Sequence, residues 1–191
     1  MDSMNADKLV VGLAGMPGSG KSLVVDVARG LGYAVVVMGD VIREETLKRG
    51  LTLTPQNVGS VMLQLRVEGG NFVVASKCIP KIEEHVEKKV LVDGLRSLFE
   101  VDAFKDYFTK FTVLAVHASP DTRFTRLFDR KRSDDSSDWE VFHERDVREL
   151  SVGLGNVVAM AEQLIVNDNS PEHVKVAIRE ALEKVEARWI K

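Results

Sequence analysis

The chain has 191 residues, 45% of them apolar and 29% charged, which suffices to build the core of one compact domain. Its formal net charge of −3 argues against a general nucleic-acid-binding surface and leaves any phosphate-binding surface to local clusters. No stretch approaches the roughly 18 apolar residues of a membrane span, the polar N-terminus is unlike a signal peptide, and the single cysteine, Cys78, fits a reducing compartment, so we expect a cytoplasmic protein without a membrane partner.

Five short apolar runs rich in β-branched residues predict the strands of a buried parallel sheet. Most are continuous rather than alternating, as expected for strands that are covered on both faces. Helical segments separate the runs, so the pattern predicts a doubly wound α/β domain. In chain order, the predicted strands are residues 9–13, 33–38, 90–92, 112–116 and 163–166.

Helix starts are marked by capping residues. Thr54, Ser119 and Ser170 each precede a proline, a pairing typical of the N-cap and first helical positions. Two stretches between strands are too long for a simple crossover: residues 40–88, with two or three helices, and residues 121–150, which are dense in charge. Because long excursions from a compact core often carry function, these two are candidate substrate-binding regions.

The strongest motif lies between the first predicted strand and the first predicted helix. It matches the pattern G-x-x-x-x-G-K-[ST] of a phosphate-binding loop, or P-loop. Glycines allow the backbone N–H groups to point at phosphates, and the following helix adds its positive end. Lys21 would reach the β- and γ-phosphates of ATP, and Ser22 would ligate Mg²⁺. The motif reads Gly15-Met16-Pro17-Gly18-Ser19-Gly20-Lys21-Ser22.

The third predicted strand ends in an acidic residue, Asp93, followed by Gly94. In P-loop proteins an aspartate at such a strand end orients Mg²⁺ or its water shell. The alternative is a plain Asp-Gly turn. Because a P-loop lies nearby in the predicted fold, this alternative is the weaker interpretation. The Asn-Lys-x-Asp segment of guanine-reading switch proteins does not occur in the sequence, which argues against that class of P-loop protein.

Arginines follow two strands and populate the second excursion. Arg43 follows the second strand and Arg96 the third, while Arg123, Arg126 and Arg130 have the spacing of one helix face. Planar guanidinium groups can grip phosphate oxygens in pairs and neutralise a transferring phosphoryl group. The alternative is a solvated helix face balanced by neighbouring acids, which are Asp129, Asp134, Asp135 and Asp138.

Together, these motifs resemble the nucleotide-kinase branch of P-loop proteins, and in particular an archaeal family related to adenylate kinase. The resemblance covers nearly the whole chain. It implies a three-layer P-loop kinase fold with helices on both faces of a five-stranded parallel sheet of order 2-3-1-4-5. The segments that carry it are the P-loop, Gly39-Asp40, Asp93-Gly94-Leu95-Arg96, Phe142-His143-Glu144-Arg145-Asp146 and Ile165-Val166-Asn167-Asp168.

The resemblance also implies a division of labour within a single domain. The core would comprise residues 8–39, 89–120 and 151–191, with a helical acceptor-binding insert at 40–88 and a short lid at 121–150. Lys21, Asp93, Arg126 and Arg130 would be catalytic, and Ser22 and Asp93 would hold Mg²⁺. The side chains implied for acceptor binding are Asp40, Arg43, Arg96 and Arg145.

Three functions remain open at this stage. The favoured one is transfer of the γ-phosphoryl group of ATP-Mg²⁺ to a nucleotide or nucleotide-like acceptor by a monomer or homodimer resembling nucleoside monophosphate kinases. The segment 161–168 is similar to the closing segment of dephospho-coenzyme A kinases, which makes dephospho-coenzyme A a second candidate acceptor. The third is an ATP-binding regulatory factor that hydrolyses ATP slowly, although the many arginines exceed what such a factor needs.

Overall fold

Five parallel strands form the centre of the protein. The structure is a computed structural model that describes residues 7–130, 138–168 and 170–189. Within these ranges the strand order is β2-β3-β1-β4-β5, which confirms the predicted order 2-3-1-4-5. All neighbouring pairs are parallel. The strands are β1 Leu9–Ala14, β2 Ala34–Val37, β3 Lys89–Leu95, β4 Lys110–His117 and β5 Gln163–Val166.

The helices begin where the capping residues predict. Thr54 accepts a hydrogen bond from the Asn57 amide at 3.2 Å, and Ser119 Oγ accepts one from the Thr122 amide at 3.4 Å. The excursion 40–88 contains most of α2 and all of α3 and α4. The helices of the described ranges are α1 Lys21–Gly30, α2 Met38–Lys48, α3 Pro55–Gly69, α4 Val73–Glu84, α5 Leu98–Tyr107, α6 Pro120–Arg130, α7 Trp139–Val152, α8 Leu154–Ala159 and α9 Pro171–Trp189.

Both faces of the sheet are buried, so the domain has three layers. Val10 and Val92 contribute to a core that also includes side chains of α3, α4, α5 and α8. Leu13 and Leu114 contribute to a second core, which they share with α1 and α9. This explains why the strand sequences are continuously apolar. Among the described helices, none is long and apolar enough to cross a membrane.

Helices α6 and α7 are joined by a buried ion pair and an aromatic cluster. Arg123 Nη1 lies 2.8 Å from Asp146 Oδ1, and the two side chains are 4% and 10% exposed. The rings of Phe124, Trp139 and Phe142 pack together with centroids 5.1–5.4 Å apart. The two helices therefore form one packed unit, although residues 131–137 between them, including Asp134 and Asp135, lie outside the described residues.

The buried ion pair should matter more to stability than an exposed one. Asp146→Ala leaves the Arg123 guanidinium buried without its counter-charge, and we expect a loss of about 3 kcal/mol or more in the free energy of unfolding. Lys88→Ala is the matched control, because it removes an exposed ion pair with Asp7 and should cost less than about 1 kcal/mol. Urea denaturation at pH 7 measures both. Equal losses in the two variants would contradict this account of how α6 and α7 are held.

Candidate functional site

The P-loop lies at the carboxyl end of the central strand β1 and leads directly into α1. Gly18 and Gly20 adopt positive φ angles of 79° and 98°, a region that side-chain-bearing residues seldom occupy. A Cβ atom on Gly18 would lie 2.8 Å from the Arg123 carbonyl oxygen, and one on Gly20 would lie 2.0 Å from Asn167 Nδ2. Both positions therefore require glycine for conformation and for space.

Lys21, the first residue of α1, extends its side chain back over the loop. Its Nζ donates to the Gly15 carbonyl at 2.6 Å and reaches 3.4 Å from the Met16 carbonyl. Removal of the ammonium group from solvent lowers the pKa of Lys21, while the nearby carboxylate of Asp93 opposes that shift. The ammonium group thus lies against the backbone of the loop, where a bound phosphate would meet its charge.

Asp93 and Ser22 offer oxygen atoms of the kind that Mg²⁺ prefers. In the part of the chain that the structure describes, Asp93 Oδ1 is buried and has no hydrogen-bond partner. Burial raises the pKa of Asp93, and the positive charges of Lys21 and Arg96 oppose the increase. The same ranges hold no cluster of three or more His, Cys, Asp or Glu side chains that could bind a metal alone. These residues suit Mg²⁺, which usually keeps waters and phosphate oxygens in its coordination shell.

A central pocket of about 590 Å³ opens beside the P-loop and collects most of the predicted site. Its walls come from the P-loop, the ends of β2 and β3, α1, the start of α2, and helices α3 to α8. Among the described residues, seven arginines line it, from five helices and the segment after β3. The predicted residues that line it are Gly15, Pro17, Gly18, Gly20, Lys21, Ser22, Arg43, Asp93, Arg96, Arg126, Arg130 and Arg145.

Three predicted residues do not line the central pocket. Ser19 is fully buried, and Met16 packs against the core on one face of the sheet. Asp40 is about half exposed, forms an ion pair with Arg43 and lines a shallow second pocket beside β2. Asp40 lies one turn from Arg43 on α2, so it is connected to the central pocket through that arginine.

Arg123 does not share the surface of Arg126 and Arg130, contrary to the predicted common helix face. Besides the ion pair with Asp146, its Nη1 donates to the Pro17 carbonyl at 3.2 Å and its Nε to the Ala118 carbonyl at 3.2 Å. Burial of this charged side chain is tolerated because a counter-charge and two carbonyl groups surround it. Arg123 therefore supports the P-loop backbone from outside the central pocket.

Arg126 lies on the pocket side of the loop, where Asn167 holds it. Its Nη2 donates to the Asn167 carbonyl at 2.9 Å, and Asn167 Nδ2 donates to the Ser19 carbonyl at 2.7 Å. Arg126 Nη1 is buried and has no partner among the described residues. One amide side chain at the end of β5 thus links the P-loop to a pocket arginine.

Four residues around this site were assigned no role from the sequence. Arg66 and Glu149 line the central pocket, as does Glu100, and Asn167 lies behind it. Asn167 follows a strand at the edge where the other site residues gather, so its position was a usable signal. The spacing of Ser97 and Glu100 matches a capping box. For Arg66, the local sequence offers no signal.

The P-loop after a central parallel strand, with a helix following, defines a P-loop kinase-like fold. The family model of the AAA domain matches residues 14–143. The UPF0200 protein MJ1399 of Methanocaldococcus jannaschii is 48% identical over 166 residues, which cover 86% of this chain and 84% of that protein. A UPF0200 protein of Hyperthermus butylicus is 44% identical over 180 residues, covering 94% and 96%. The chain belongs to the UPF0200 family, whose archaeal members confirm the predicted resemblance to an archaeal P-loop family.

Solved structures share the fold at low sequence identity. TT1252 from Thermus thermophilus superposes with a TM-score of 0.64 at 18% identity, covering 96% of this chain and 98% of that one. Shikimate kinase from Bacteroides thetaiotaomicron gives 0.64 at 16% identity, covering 93% and 98%. A gluconokinase from Sinorhizobium meliloti gives 0.58 at 13% identity, covering 96% of both chains. These likenesses establish the fold.

Gly20 provides a test of the P-loop geometry. Gly20→Ala forces a left-handed backbone on alanine and drives its Cβ into Asn167, so we expect a loss of about 2 kcal/mol or more, or a fall in melting temperature of about 4–8 °C. Gly30→Ala is the control, because Gly30 ends the same helix and an added Cβ there would have no atom within 4 Å. It should be neutral or slightly stabilising. A thermal melt that ranks the variants the other way would contradict the described loop.

Proposed function

We propose that the protein transfers the γ-phosphoryl group of ATP-Mg²⁺ to a small phosphorylated acceptor, as a nucleoside monophosphate kinase-like enzyme. The observation that supports this most is the gathering of arginines from separate segments around one P-loop. A protein that binds ATP alone needs fewer phosphate clamps, whereas one that holds two phosphorylated substrates must neutralise both. The arginines are Arg43 and Arg66 from the excursion 40–88, Arg96 after β3, Arg126, Arg130 and Arg145 from the excursion 121–150, and Arg29 on α1.

The sheet order separates five of these arginines into two groups. Arg43, Arg66 and Arg96 follow or pack near β2 and β3, on one side of the P-loop strand β1. Arg126 and Arg130 lie on α6, after β4, on the other side. We assign the β2–β3 side to the acceptor and the β4–β5 side to ATP. The excursion 40–88 is then the acceptor-binding insert, and 121–150 is the lid.

On the ATP side, the P-loop amides would bind the β- and γ-phosphates. Lys21 would exchange its bond to the Gly15 carbonyl for the transferring phosphate. Mg²⁺, held through Ser22 and Asp93, would neutralise charge between the two phosphates. Arg126 and Arg130 would balance the charge on the equatorial oxygens as transfer proceeds.

On the acceptor side, Arg43 and Arg96 would hold the acceptor's phosphate in line with the γ-phosphorus. An acceptor phosphate oxygen forms the new P–O bond while the bond to the β-phosphate oxygen breaks, and ADP leaves. Because a phosphate monoester is already anionic near neutral pH, it needs no general base. Positioning and charge neutralisation then supply most of the rate, with the lid excluding water.

An ADP-release assay with ATP-Mg²⁺ tests the proposal and its rivals together. The acceptor panel contains nucleoside monophosphates, dephospho-coenzyme A, shikimate and gluconate, with an acceptor-free reaction as the baseline. Turnover that rises at least tenfold with a nucleoside monophosphate supports the proposal. A rise with dephospho-coenzyme A alone favours the second candidate, and turnover that never exceeds the baseline favours a slow regulatory ATPase.

Lys21 should be essential for transfer and dispensable for folding. Lys21→Ala removes a charge at the transferring phosphate, so we expect a loss on the order of 10³-fold in kcat. Lys88→Ala, whose ion pair is exposed and remote, should retain full activity. Steady-state kinetics measure both, and circular dichroism checks that Lys21→Ala is folded. A folded variant with near-normal turnover would place the active site elsewhere.

Arg43 should act on the acceptor more than on ATP. Arg43→Ala removes a charge-assisted contact to the acceptor phosphate, so we expect its KM for the acceptor to rise about tenfold or more. The KM for ATP should change by less than about twofold. Lys48→Ala is the control, since Lys48 is exposed on the same helix outside the central pocket. Equal increases in both KM values would reject the assignment of α2 to the acceptor.

A further inference from the structure

Glu100 is a buried carboxylate at the start of α5 that meets the central pocket. Its side chain is 1% exposed. Oε1 accepts a hydrogen bond from Arg66 Nη2 at 3.2 Å. Oε2 accepts from the Arg96 amide at 2.8 Å and from the Ser97 amide at 3.3 Å. Both oxygens are therefore engaged by the protein, and Glu100 is placed to organise its neighbours.

The capping of α5 does not by itself explain a buried charge at this position. Ser97 and Glu100 form a reciprocal capping box, but glutamine serves that motif as well as glutamate. Burying a carboxylate is unfavourable, and burial raises the pKa of Glu100 against the opposing contacts with Arg96 and Arg66. The carboxylate faces the guanidinium of Arg66 and forms an ion pair with it at 3.2 Å.

Arg66 is held in the pocket wall with most of its donors available. It lies on α3, its side chain is 13% exposed, and it lines the central pocket. A guanidinium has five N–H donors, and the contacts of the described residues use one of them, on Glu100. The remaining donors are fixed in direction because α3 and the buried carboxylate hold both ends of the side chain. The guanidinium group of Arg66 is therefore preorganised to bind an anion.

Glu100 also fixes the second arginine, through its backbone. The bond from the Arg96 amide sets the turn that follows β3, from which the Arg96 side chain extends between α3 and α7. Its Nη1 lies 3.6 Å from Met62 Sδ, and its Nε lies 3.5 Å from Glu149 Oε2. One carboxylate thus anchors two arginines on the same side of the P-loop strand.

We propose that Arg66 binds the acceptor's phosphate together with Arg96, and that Glu100 is the positioning residue for this pair. The inference rests on the proposed function in one respect, namely that the anion belongs to the acceptor. It also narrows the acceptor class. Two guanidinium groups on one anion suit a phosphate monoester, whose several oxygens can accept their N–H groups, better than a neutral sugar hydroxyl.

The experiment measures phosphate binding directly and does not require the acceptor to be known. The probe is inorganic phosphate, titrated into the full chain saturated with Mg²⁺ and a non-hydrolysable ATP analogue, so that the P-loop is already occupied. Arginine Nε–Hε signals in NMR spectra report the binding. We expect saturable binding that Arg66→Ala weakens about tenfold or more, while affinity for the analogue stays within about twofold.

Controls separate a role in binding from a role in folding. Val67→Ala changes an exposed neighbour on the same helix and should leave phosphate affinity unchanged. Arg66→Ala leaves Glu100 without its cation, so the double variant Arg66→Ala/Glu100→Gln provides a form without the unpaired charge. It should show the same weakened affinity as Arg66→Ala.

Glu100→Gln tests the positioning role. Glutamine keeps a carbonyl oxygen for the Arg96 and Ser97 amides but loses the charge that holds Arg66. We expect affinity for phosphate to fall several-fold in the otherwise unchanged chain and not to fall further when Arg66 is already alanine. Equal effects of Glu100→Gln in both backgrounds would show that it does not act through Arg66.

Two results would overturn the inference: no binding of phosphate to the analogue-loaded protein, or binding that Arg66→Ala leaves within twofold. Failure of this inference can be told apart from failure of the proposed function. If Arg66 governs phosphate binding but no acceptor raises turnover, the anion site stands and the kinase proposal fails. If turnover is found without any dependence on Arg66, the kinase proposal stands and the role of Arg66 fails.

Discussion

The P-loop can direct its N–H groups inward only if its carbonyl groups, which face outward, find other donors. Each of four carbonyls has one. The Gly15 carbonyl accepts from Lys21, that of Met16 from the Ser19 amide, that of Pro17 from Arg123, and that of Ser19 from Asn167. An unpaired buried carbonyl costs about 1–3 kcal/mol, so the donors to the Met16, Pro17 and Ser19 carbonyls help the loop hold its shape, whereas Lys21 would exchange the Gly15 carbonyl for a phosphate.

Two of these donors, Arg123 and Asn167, come from parts of the chain that are far from the loop in sequence. Asn167 follows the edge strand β5, and Arg123 lies on α6, where it also pairs with Asp146 on α7. The loop is therefore attached on one side to the sheet and on the other to the helices of the proposed lid. A movement of α6 would strain or break the hydrogen bond between Arg123 and the Pro17 carbonyl. This bond therefore connects the position of the proposed lid with the shape of the loop.

Local sequence predicted the elements and motifs well, because strands, caps and the P-loop each depend on a few consecutive residues. The order of the strands came from the resemblance, since five apolar runs do not specify their neighbours. Spacing alone placed Arg123 with Arg126 and Arg130, but Asp146, 23 residues away, turned it to the back of the loop. Arg66 and Glu100 are 34 residues apart. Only the packing of α3 and α5 brings these two residues together, so the local sequence of neither helix predicts the pair.

Three buried polar atoms at the proposed nucleotide site lack partners within the described ranges: Ser19 Oγ, Asp93 Oδ1 and Arg126 Nη1. Each unpaired atom lowers the stability of the ligand-free protein, and an apolar substitution of similar size at Ser19 would relieve that cost. Selection for thermal resistance alone, as in a laboratory evolution experiment without a catalytic screen, would therefore erode this pocket before it touched the core. Variants that survive heat best would be those whose pocket has lost its polar groups.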